Sequence, residues 1–260
     1  MDIIISVILA ALLVFVTLKK RAFTHAAAIS AGAILVTAAF CGSYAAIAIV
    51  LAAYGTVFAV DLVLGKRTER ITGEINLKVG RRDVVQVLAN ATAAVIAIIL
   101  GKIFESPIGM VVYTAALTEC LADSLASDIG VMSKKDPVDI CRMRRVKRGM
   151  SGGVSLLGTI SAFCGCLLMT LIFIAFFGFN TKHIIAVLVI PMIGILADSI
   201  LGSLVQAKYK CTECGKNTEK KLHCGRPTEH AGGLKIINND TVNILSNLIT
   251  AILATVWLIA

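Results

Sequence analysis

Residues 154–179 read VSLLGTISAFCGCLLMTLIFIAFFGF, a run without a single charged side chain. An α-helix rises 1.5 Å per residue, so about 20 apolar residues cross the roughly 30 Å hydrocarbon core of a bilayer. A charge-free run of this length predicts a membrane-spanning helix. The chain of 260 residues is 57% hydrophobic, above the roughly 45–50% of ordinary soluble domains, which argues against a soluble fold.

Seven further apolar stretches are similar, and their pattern lacks the period-two alternation that a membrane β-barrel requires. The sequence therefore predicts an all-α fold, a polytopic bundle of about eight transmembrane helices that forms one integral membrane domain over residues 1–260. The predicted spans are 2–18, 26–41, 43–64, 84–104, 107–127, 154–179, 183–206 and 241–259.

The net charge of +9 is distributed unevenly along the chain. Of the 25 Lys and Arg residues, 23 lie in the segments 19–24, 65–82, 128–152 and 207–239. Basic loops are retained on the cytoplasmic side of a membrane. The distribution therefore predicts cytoplasmic basic loops with both termini outside, an arrangement that requires eight helices. A basic face also attracts anionic headgroups or phosphates.

One short motif occurs twice, as LADSLASD at 121–128 and LADSILGS at 196–203. Both copies lie toward the cytoplasmic ends of predicted helices, and residues four apart share a helix face. Acids inside membrane helices are costly and are functional candidates by default, so Asp123, Asp128 and Asp198 are candidate catalytic residues. There is a simpler alternative. The serines would then be packing positions, and the acids would pair with basic residues, for example Asp128 with Arg145.

A basic and glycine-rich segment, MRRVKRGMSGGVS at 143–155, precedes the predicted sixth helix. Glycines allow backbone N–H groups to approach an anion, and a helix N-terminus adds a positive dipole end. The segment predicts a phosphate cradle, although it has no Walker motif and a tight turn would also explain its glycines. Its candidate residues are Arg145, Arg148, Ser151, Gly152 and Gly153.

Polar residues also occur in the fourth and eighth predicted helices, at Asn90 and at Asn239, Asp240 and Asn243. Asp240 is also a plausible helix N-cap. Magnesium takes few carboxylates and completes its shell with water and phosphate oxygens, so Asp123, Asp128 and Asp198 are candidate Mg²⁺ ligands. Carboxylates combined with cationic loops suit phosphoryl transfer, which needs positioning and charge neutralisation.

The segment 207–239 is predicted to be a cytoplasmic loop, and it contains CTECGKNTEKKLHCG at 211–225. A CxxC pair followed by His and Cys is a reasonable zinc pattern, so Cys211, Cys214, His223 and Cys224 are candidate ligands of a structural Zn²⁺. Reduced free thiols are an equal alternative because the spacing is irregular.

Five motifs resemble, in content and in order, the integral membrane family that contains transmembrane protein 19 and the plant phytyl-phosphate kinase. They are QVLANA at 86–91, LADSLASDIG at 121–130, RGMSGGVSLLG at 148–158, ADSILGSLVQ at 197–206 and NNDTVN at 238–243. Ser124 stands where many relatives have Thr, and Asp128 where many have Glu.

The resemblance implies a membrane isoprenyl-phosphate kinase. Such an enzyme transfers a phosphoryl group from a nucleoside triphosphate, CTP or ATP, to a prenyl monophosphate such as phytyl or geranylgeranyl phosphate. It would work with Mg²⁺ in the cell membrane, with its active face in the cytoplasm and without nucleic acid. The expected nucleotide- and phosphate-binding residues are Asn90, Ser124, Arg145, Arg148, Ser151, Gly152, Gly153, Ser199, Asn239, Asp240 and Asn243.

Two alternatives remain. A CTP-dependent polyprenol kinase or a cytidylyltransferase would use the same metal and phosphate apparatus on a different lipid. A secondary transporter would explain the repeated motif and the intramembrane acids, since transporters are often built from repeats.

Overall fold

The structure is a computed structural model that describes residues 2–78 and 80–260. Its helices are α1 (Asp2–Lys19), α2 (His25–Thr72), α3 (Val84–Ala89), α4 (Thr92–Ile103), α5 (Ile108–Gly130), α6 (Leu156–Phe177), α7 (Thr181–Leu204) and α8 (Asn239–Ile259). Five of them, α2, α5, α6, α7 and α8, are long and apolar enough to cross a membrane. The predicted helical, polytopic membrane bundle is confirmed.

The predicted spans 26–41 and 43–64 form the two parts of α2. A regular helix of 48 residues would be about 72 Å long, more than twice the hydrocarbon thickness. The helix is broken at Ser43, whose backbone (φ 68, ψ −168) is not helical and is uncommon for a residue with a side chain. The break therefore lies at the first residue of the second predicted span, and the second part continues past its predicted end to Thr72.

The predicted span 84–104 is interrupted rather than continuous. Asp83 caps α3 in a capping box with Gln86, α3 ends at Ala89 with Asn90 as its C-cap, and α4 begins at Thr92. With 12 residues, α4 alone is about 18 Å long and does not cross the hydrocarbon core. The interruption places the polar side chain of Asn90 at a helix end instead of inside a helix.

The central helix is α5, which contacts α2, α4, α6, α7 and α8 and is largely buried. Small residues allow close packing around it, as where Gly101 of α4 meets Gly109 of α5 without room for a Cβ on either side. The hydroxyl of the buried Tyr113 donates to the carbonyl of Ala46 at 2.8 Å. The helix that carries LADSLASD is thus surrounded by the others.

Two small sheets join the helices on the side of the basic segments. Strands β1 (Val138–Asp139) and β2 (Gly153–Val154) form an antiparallel pair between α5 and α6. Strands β3 (Lys208–Cys211), β4 (Asn217–Thr218), β5 (Leu222–His223) and β6 (Arg226–Gly232) form a four-stranded antiparallel sheet in the order β4-β3-β6-β5. The segment 207–239, predicted as a loop, is therefore a folded unit.

Candidate active site

A cavity of about 610 Å³ lies where the C-terminal parts of α2, α5 and α7 meet the N-terminus of α8. The basic segments 65–82 and 128–152 also line it. This volume is typical of a small-molecule site. Nearly all predicted site residues line the cavity, namely Asn90, Asp123, Ser124, Asp128, Arg148, Ser151, Gly152, Gly153, Asp198, Ser199, Asn239, Asp240 and Asn243. Arg145 does not line the cavity. It is exposed, and its backbone pairs with Val138 in the β1 region.

The two LADS segments face the cavity from neighbouring helices. Asp123 and Ser124 line it from α5, and Asp198 and Ser199 line it from α7. Ser246 of α8 donates its hydroxyl to Asp198 Oδ2 at 3.2 Å, so a third helix orients this carboxylate. The periodicity of the helices and their close packing bring together acids that are 75 residues apart in the sequence.

A further acid, Glu119, lies one helical turn before Asp123 and was not predicted. It is 2% exposed, and Asn247 donates its side-chain amide to Glu119 Oε2 at 2.7 Å and to the carbonyl of Ala116 at 2.8 Å. Gly194 of α7 has no room for a Cβ because Thr250 and Glu119 fill that position. The sequence could have indicated Glu119 and its partner. Glu119 precedes Asp123 by four residues and Asn247 follows Asn243 by four, so each shares a helix face with a predicted site residue.

Two acids of the cavity have basic partners. Asp128 Oδ2 lies 3.7 Å from Arg82 Nη2, so Arg82 rather than Arg145 is its partner. Asp240 Oδ2 lies 2.5 Å from Lys78 Nζ, which also contacts Asp83 at 2.7 Å. Burial opposes the charge on Lys78, but the hydrogen bonds to Asp240 and Asp83 outweigh this effect and raise the pKa of Lys78.

The N-cap of α8 is Asn238, whose side chain accepts from the amide of Thr241 at 3.0 Å. The alternative that Asp240 caps this helix is therefore wrong. Asp240 lies in the first turn instead, where a negative charge is favourable, and its carboxylate is held by Lys78. In the same region Asn243 donates its side-chain amide to Asn90 Oδ1 at 3.2 Å, which connects the interrupted α3–α4 segment to α8.

The glycine-rich segment differs from the predicted helix start. Helix α6 begins at Leu156 with Ser155 as its N-cap, whereas Ser151 and Gly152 lie in a turn and Gly153 begins β2. Gly152 has a φ of +83°, and a Cβ there would meet the backbone of Ser203. The turn therefore needs this glycine for its conformation and for its close approach to α7.

The backbone amide of Ser151 already donates to a carboxylate of the protein itself, that of Glu219. Glu219 accepts hydrogen bonds from both the amide, at 3.1 Å, and the hydroxyl of Ser151. Burial raises the pKa of Glu219, although the hydrogen bonds from Ser151 oppose this. The contact shows that the turn binds a carboxylate, and a phosphate at the same amide would have to displace Glu219. Nearby, Arg148 Nη1 donates to the carbonyl of Ser133 at 3.2 Å.

The buried carboxylate of Asp139 connects the basic segment 131–155 to the end of α7. Ser203 donates to Asp139 Oδ1 at 2.6 Å, and Arg142 Nη1 donates to the carbonyl of Ser203 at 2.9 Å. Burial would raise the pKa of Asp139, but hydrogen bonds from Ser203 and from the amides of Arg142 and Cys141 outweigh it and lower that pKa to about 2. These contacts set the position of the turn that carries Ser151.

The cavity combines side chains that could hold a divalent cation with side chains that could hold phosphates. Asp123, Asp128 and Asp198 offer the hard oxygen ligands that Mg²⁺ prefers, and water and phosphate oxygens usually complete its shell. Cationic side chains line the same space and suit phosphate oxygens. They are Lys20, Arg21, Lys66, Lys78, Arg81, Arg82 and Arg148.

Comparison with known proteins gives a family, and two of the similar proteins are described below. The family model described as Integral membrane protein DUF92 matches residues 8–251. Protein PGR of Arabidopsis thaliana is 26% identical over 280 aligned positions, which cover 97% of this chain and 95% of that protein. Uncharacterized membrane protein MJ0933 of Methanocaldococcus jannaschii is 28% identical over 127 positions, which cover 49% of this chain and 52% of that protein.

No solved structure gives a significant match to this chain. The family model covers most of the sequence, including both LADS segments, the glycine-rich turn and the polar start of α8. The predicted membership of an integral membrane family is thus confirmed, and the chain belongs to the Integral membrane protein DUF92 family.

Proposed function

We propose that this protein is an Mg²⁺-dependent isoprenyl-phosphate kinase, which transfers a phosphoryl group from CTP or ATP to a prenyl monophosphate such as phytyl or geranylgeranyl phosphate. The observation that carries the proposal is the shared cavity, in which Asp123 and Asp198 line the same space as a set of cations at the ends of membrane helices. Acids for a metal and cations for phosphates are the parts that phosphoryl transfer requires.

In this proposal an oxygen of the prenyl phosphate attacks the γ-phosphorus, and the nucleoside diphosphate leaves with its bridging oxygen. Asp123, Asp128 and Asp198 would hold Mg²⁺, which supplies charge neutralisation at the phosphates. Lys78, Arg82 and Arg148 would bind the phosphate oxygens and hold donor and acceptor in line. The protein then needs no nucleophile of its own, since positioning and electrostatic stabilisation carry most of the catalysis.

The prenyl chain would lie on the apolar side of the cavity, between α6 and α7. Ala162, Met192, Ile195 and Leu196 line this side. Each buried CH₂ group contributes about 0.8 kcal/mol to partitioning into lipid, so the chain stays in the membrane while its phosphate reaches the polar end of the cavity. The basic segments around that polar end support a cytoplasmic position for it.

A substitution on the apolar side tests this placement. Met192→Trp would narrow the space for the chain, so we expect the KM for geranylgeranyl phosphate to rise at least about 10-fold, the effect of roughly 1.4 kcal/mol of lost binding. The KM for the five-carbon dimethylallyl phosphate should change little. Ile193→Trp is the matched control, because Ile193 is 46% exposed and does not line the cavity.

An acceptor panel separates the proposal from the related lipid reactions. Purified protein in detergent, with Mg²⁺ and each nucleoside triphosphate, would be offered prenol, prenyl monophosphate and phosphatidic acid. We expect product from prenyl monophosphate alone. Turnover of free prenol alone would identify a polyprenol kinase, and a cytidyl product from phosphatidic acid would identify a cytidylyltransferase.

The secondary transporter remains the candidate of a different class. The repeated LADS segments and the buried Glu119 are the features that favour it, because buried acids in membrane helices commonly mark ion pathways. Uptake of a labelled solute into proteoliposomes, lost in Asp198→Asn, would support transport instead of phosphoryl transfer.

A further inference from the structure

A cluster of three cysteines and one histidine lies at one end of the four-stranded sheet. Cys211, Cys214, His223 and Cys224 each offer one ligand atom, and these atoms all lie within 4.8 Å of one another. His223 Nδ1 is 3.6 Å from Cys214 Sγ and 3.2 Å from Cys224 Sγ. Around a tetrahedral zinc ion, sulfur and nitrogen ligands are separated by roughly 3.5–3.8 Å. The four atoms therefore lie close enough together for small side-chain movements to bring them onto one such ion.

Two turns at the same end of the sheet bring these ligands together. Cys211 ends β3, and Cys214 lies in the turn to β4, where the amide of Gly215 donates to the carbonyl of Cys211 at 3.0 Å. His223 ends β5, and Cys224 opens the turn to β6. Because β3 and β6 are paired, both turns lie side by side. The irregular spacing in the sequence thus becomes a compact set in the fold.

The backbone at Cys224 has an uncommon conformation. His223 pairs with Arg226, which leaves Cys224 and Gly225 as a two-residue turn with φ values of 52° and 74°. Such turns favour Asn, Asp or Gly at the first position, and a cysteine there is unfavourable. The conformation places the sulfur of Cys224 beside the ring of the preceding His223, as a shared metal would require.

We infer that Cys211, Cys214, His223 and Cys224 bind one structural zinc ion. Thiolate and imidazole ligands suit zinc rather than magnesium, so this ion is distinct from the metal proposed for the cavity. Four protein ligands fill a tetrahedral shell and leave no open position, which is the arrangement of structural rather than catalytic zinc. The three cysteines are free thiols, so no disulfide competes for the sulfurs.

The zinc site stabilises a segment that contacts the cavity. From the turn after Cys214, Lys216 Nζ reaches Glu74 Oε2 at 2.8 Å, and Thr218 donates to the carbonyl of Glu74 at 2.9 Å. The next residue, Glu219, accepts the hydrogen bonds of Ser151. Loss of zinc should therefore loosen residues 208–224 and the contact between Glu219 and Ser151, without unfolding the membrane helices.

Metal content of the whole chain tests the inference independently of any catalytic activity. The protein would be purified in mild detergent without chelators and with an affinity tag that lacks histidine, and its zinc would be measured by mass spectrometry against its sulfur. We expect about one zinc per chain, and a loss of at least about 10-fold in Cys214→Ser and Cys224→Ser. Cys141→Ser is the matched control, because Cys141 is an exposed thiol outside the cluster.

A second measurement covers the case in which the cluster variants do not fold. Wild-type protein grown with cobalt in place of zinc should show the absorption bands of tetrahedral cobalt with thiolate ligands, and hydrogen exchange of residues 208–224 should accelerate when a chelator removes the metal. Wild-type protein without bound metal, iron in place of zinc, or zinc that persists in both cysteine variants would each overturn the inference.

Discussion

The two LADS segments share a sequence but differ in what their last residues do. In both, the aspartate and the serine after it line the cavity, at Asp123 with Ser124 and at Asp198 with Ser199. The eighth positions diverge. Asp128 lines the cavity beside Arg82, whereas Ser203 is 1% exposed and donates a hydrogen bond to Asp139.

The difference shows how one helical motif serves two purposes. The end of α5 directs all of its polar residues to the cavity, including Ser127 one turn after Asp123. In the LADS segment of α7, only the first helical turn, with Asp198 and Ser199, lines the cavity. The following turn anchors the segment 131–155, because Gly202 and Ser203 contact the loop at Gly152. Repetition in the sequence therefore predicts a common position on a helix but not a common role.

The largest expected effect is at the positions that the two segments share. Asp123→Asn and Asp198→Asn should each lower kcat for prenyl-phosphate phosphorylation by at least about 100-fold, because each removes a charge from the proposed metal site. Rates would be measured over a Mg²⁺ titration with purified protein. Glu105→Gln, in an exposed loop outside the cavity, is the matched control. A near-normal kcat for either variant would show that the two aspartates do not share the proposed role in metal binding.

The positions that diverge should give opposite results. Asp128→Asn should lower kcat about 10- to 100-fold with little change in thermal stability, because Asp128 lines the cavity and its pair with Arg82 is long. Ser203→Ala should instead lower the free energy of unfolding by about 1–3 kcal/mol, because it leaves the buried Asp139 short of a donor, and should retain kcat within about 3-fold. Rates and unfolding in detergent would be recorded for both variants. Equal losses of activity would show that both segment ends belong to the catalytic apparatus.

A smaller effect is expected from the pH dependence of the same anchor. Since its folded-state pKa of about 2 lies below the ordinary value of about 3.8, Asp139 contributes stability above pH 4 that is lost as the pH falls toward 2. The shift corresponds to about 2 kcal/mol at most. The difference in unfolding free energy between wild type and Asp139→Asn should therefore shrink between pH 5 and pH 2. A difference that stays constant over this range would show that the charge of Asp139 does not stabilise the fold.

The sequence predicted the helical bundle and most residues of the cavity because both depend on local regularities. Apolar length predicts a membrane helix, and spacings of four residues place Asp123 and Ser127, or Asn243 and Asn247, on one face. Apolar length also separated the two parts of α2 to within one residue, because the break at Ser43 is the first residue of the second predicted span.

The remaining features depend on contacts that are distant in the sequence. Glu219 meets Ser151 across 68 residues, and Lys78 meets Asp240 across 162, so neither pair has a local signature. The sheet in 207–239 consists mostly of very short strands, too short to show alternation. The phosphate cradle was predicted at a helix start, but the close approach of Gly152 to Ser203 moves these glycines into a turn.

The most direct test of the central claim is the transfer of label from a nucleoside triphosphate labelled at its γ-phosphate to geranylgeranyl monophosphate. The purified wild-type chain, its Asp123→Asn variant and the Glu105→Gln control would be compared in detergent with Mg²⁺. We predict labelled geranylgeranyl diphosphate from wild type and control, and at least about 100-fold less from Asp123→Asn. No labelled diphosphate with any donor, from wild-type protein shown to be folded, would contradict the proposed kinase activity.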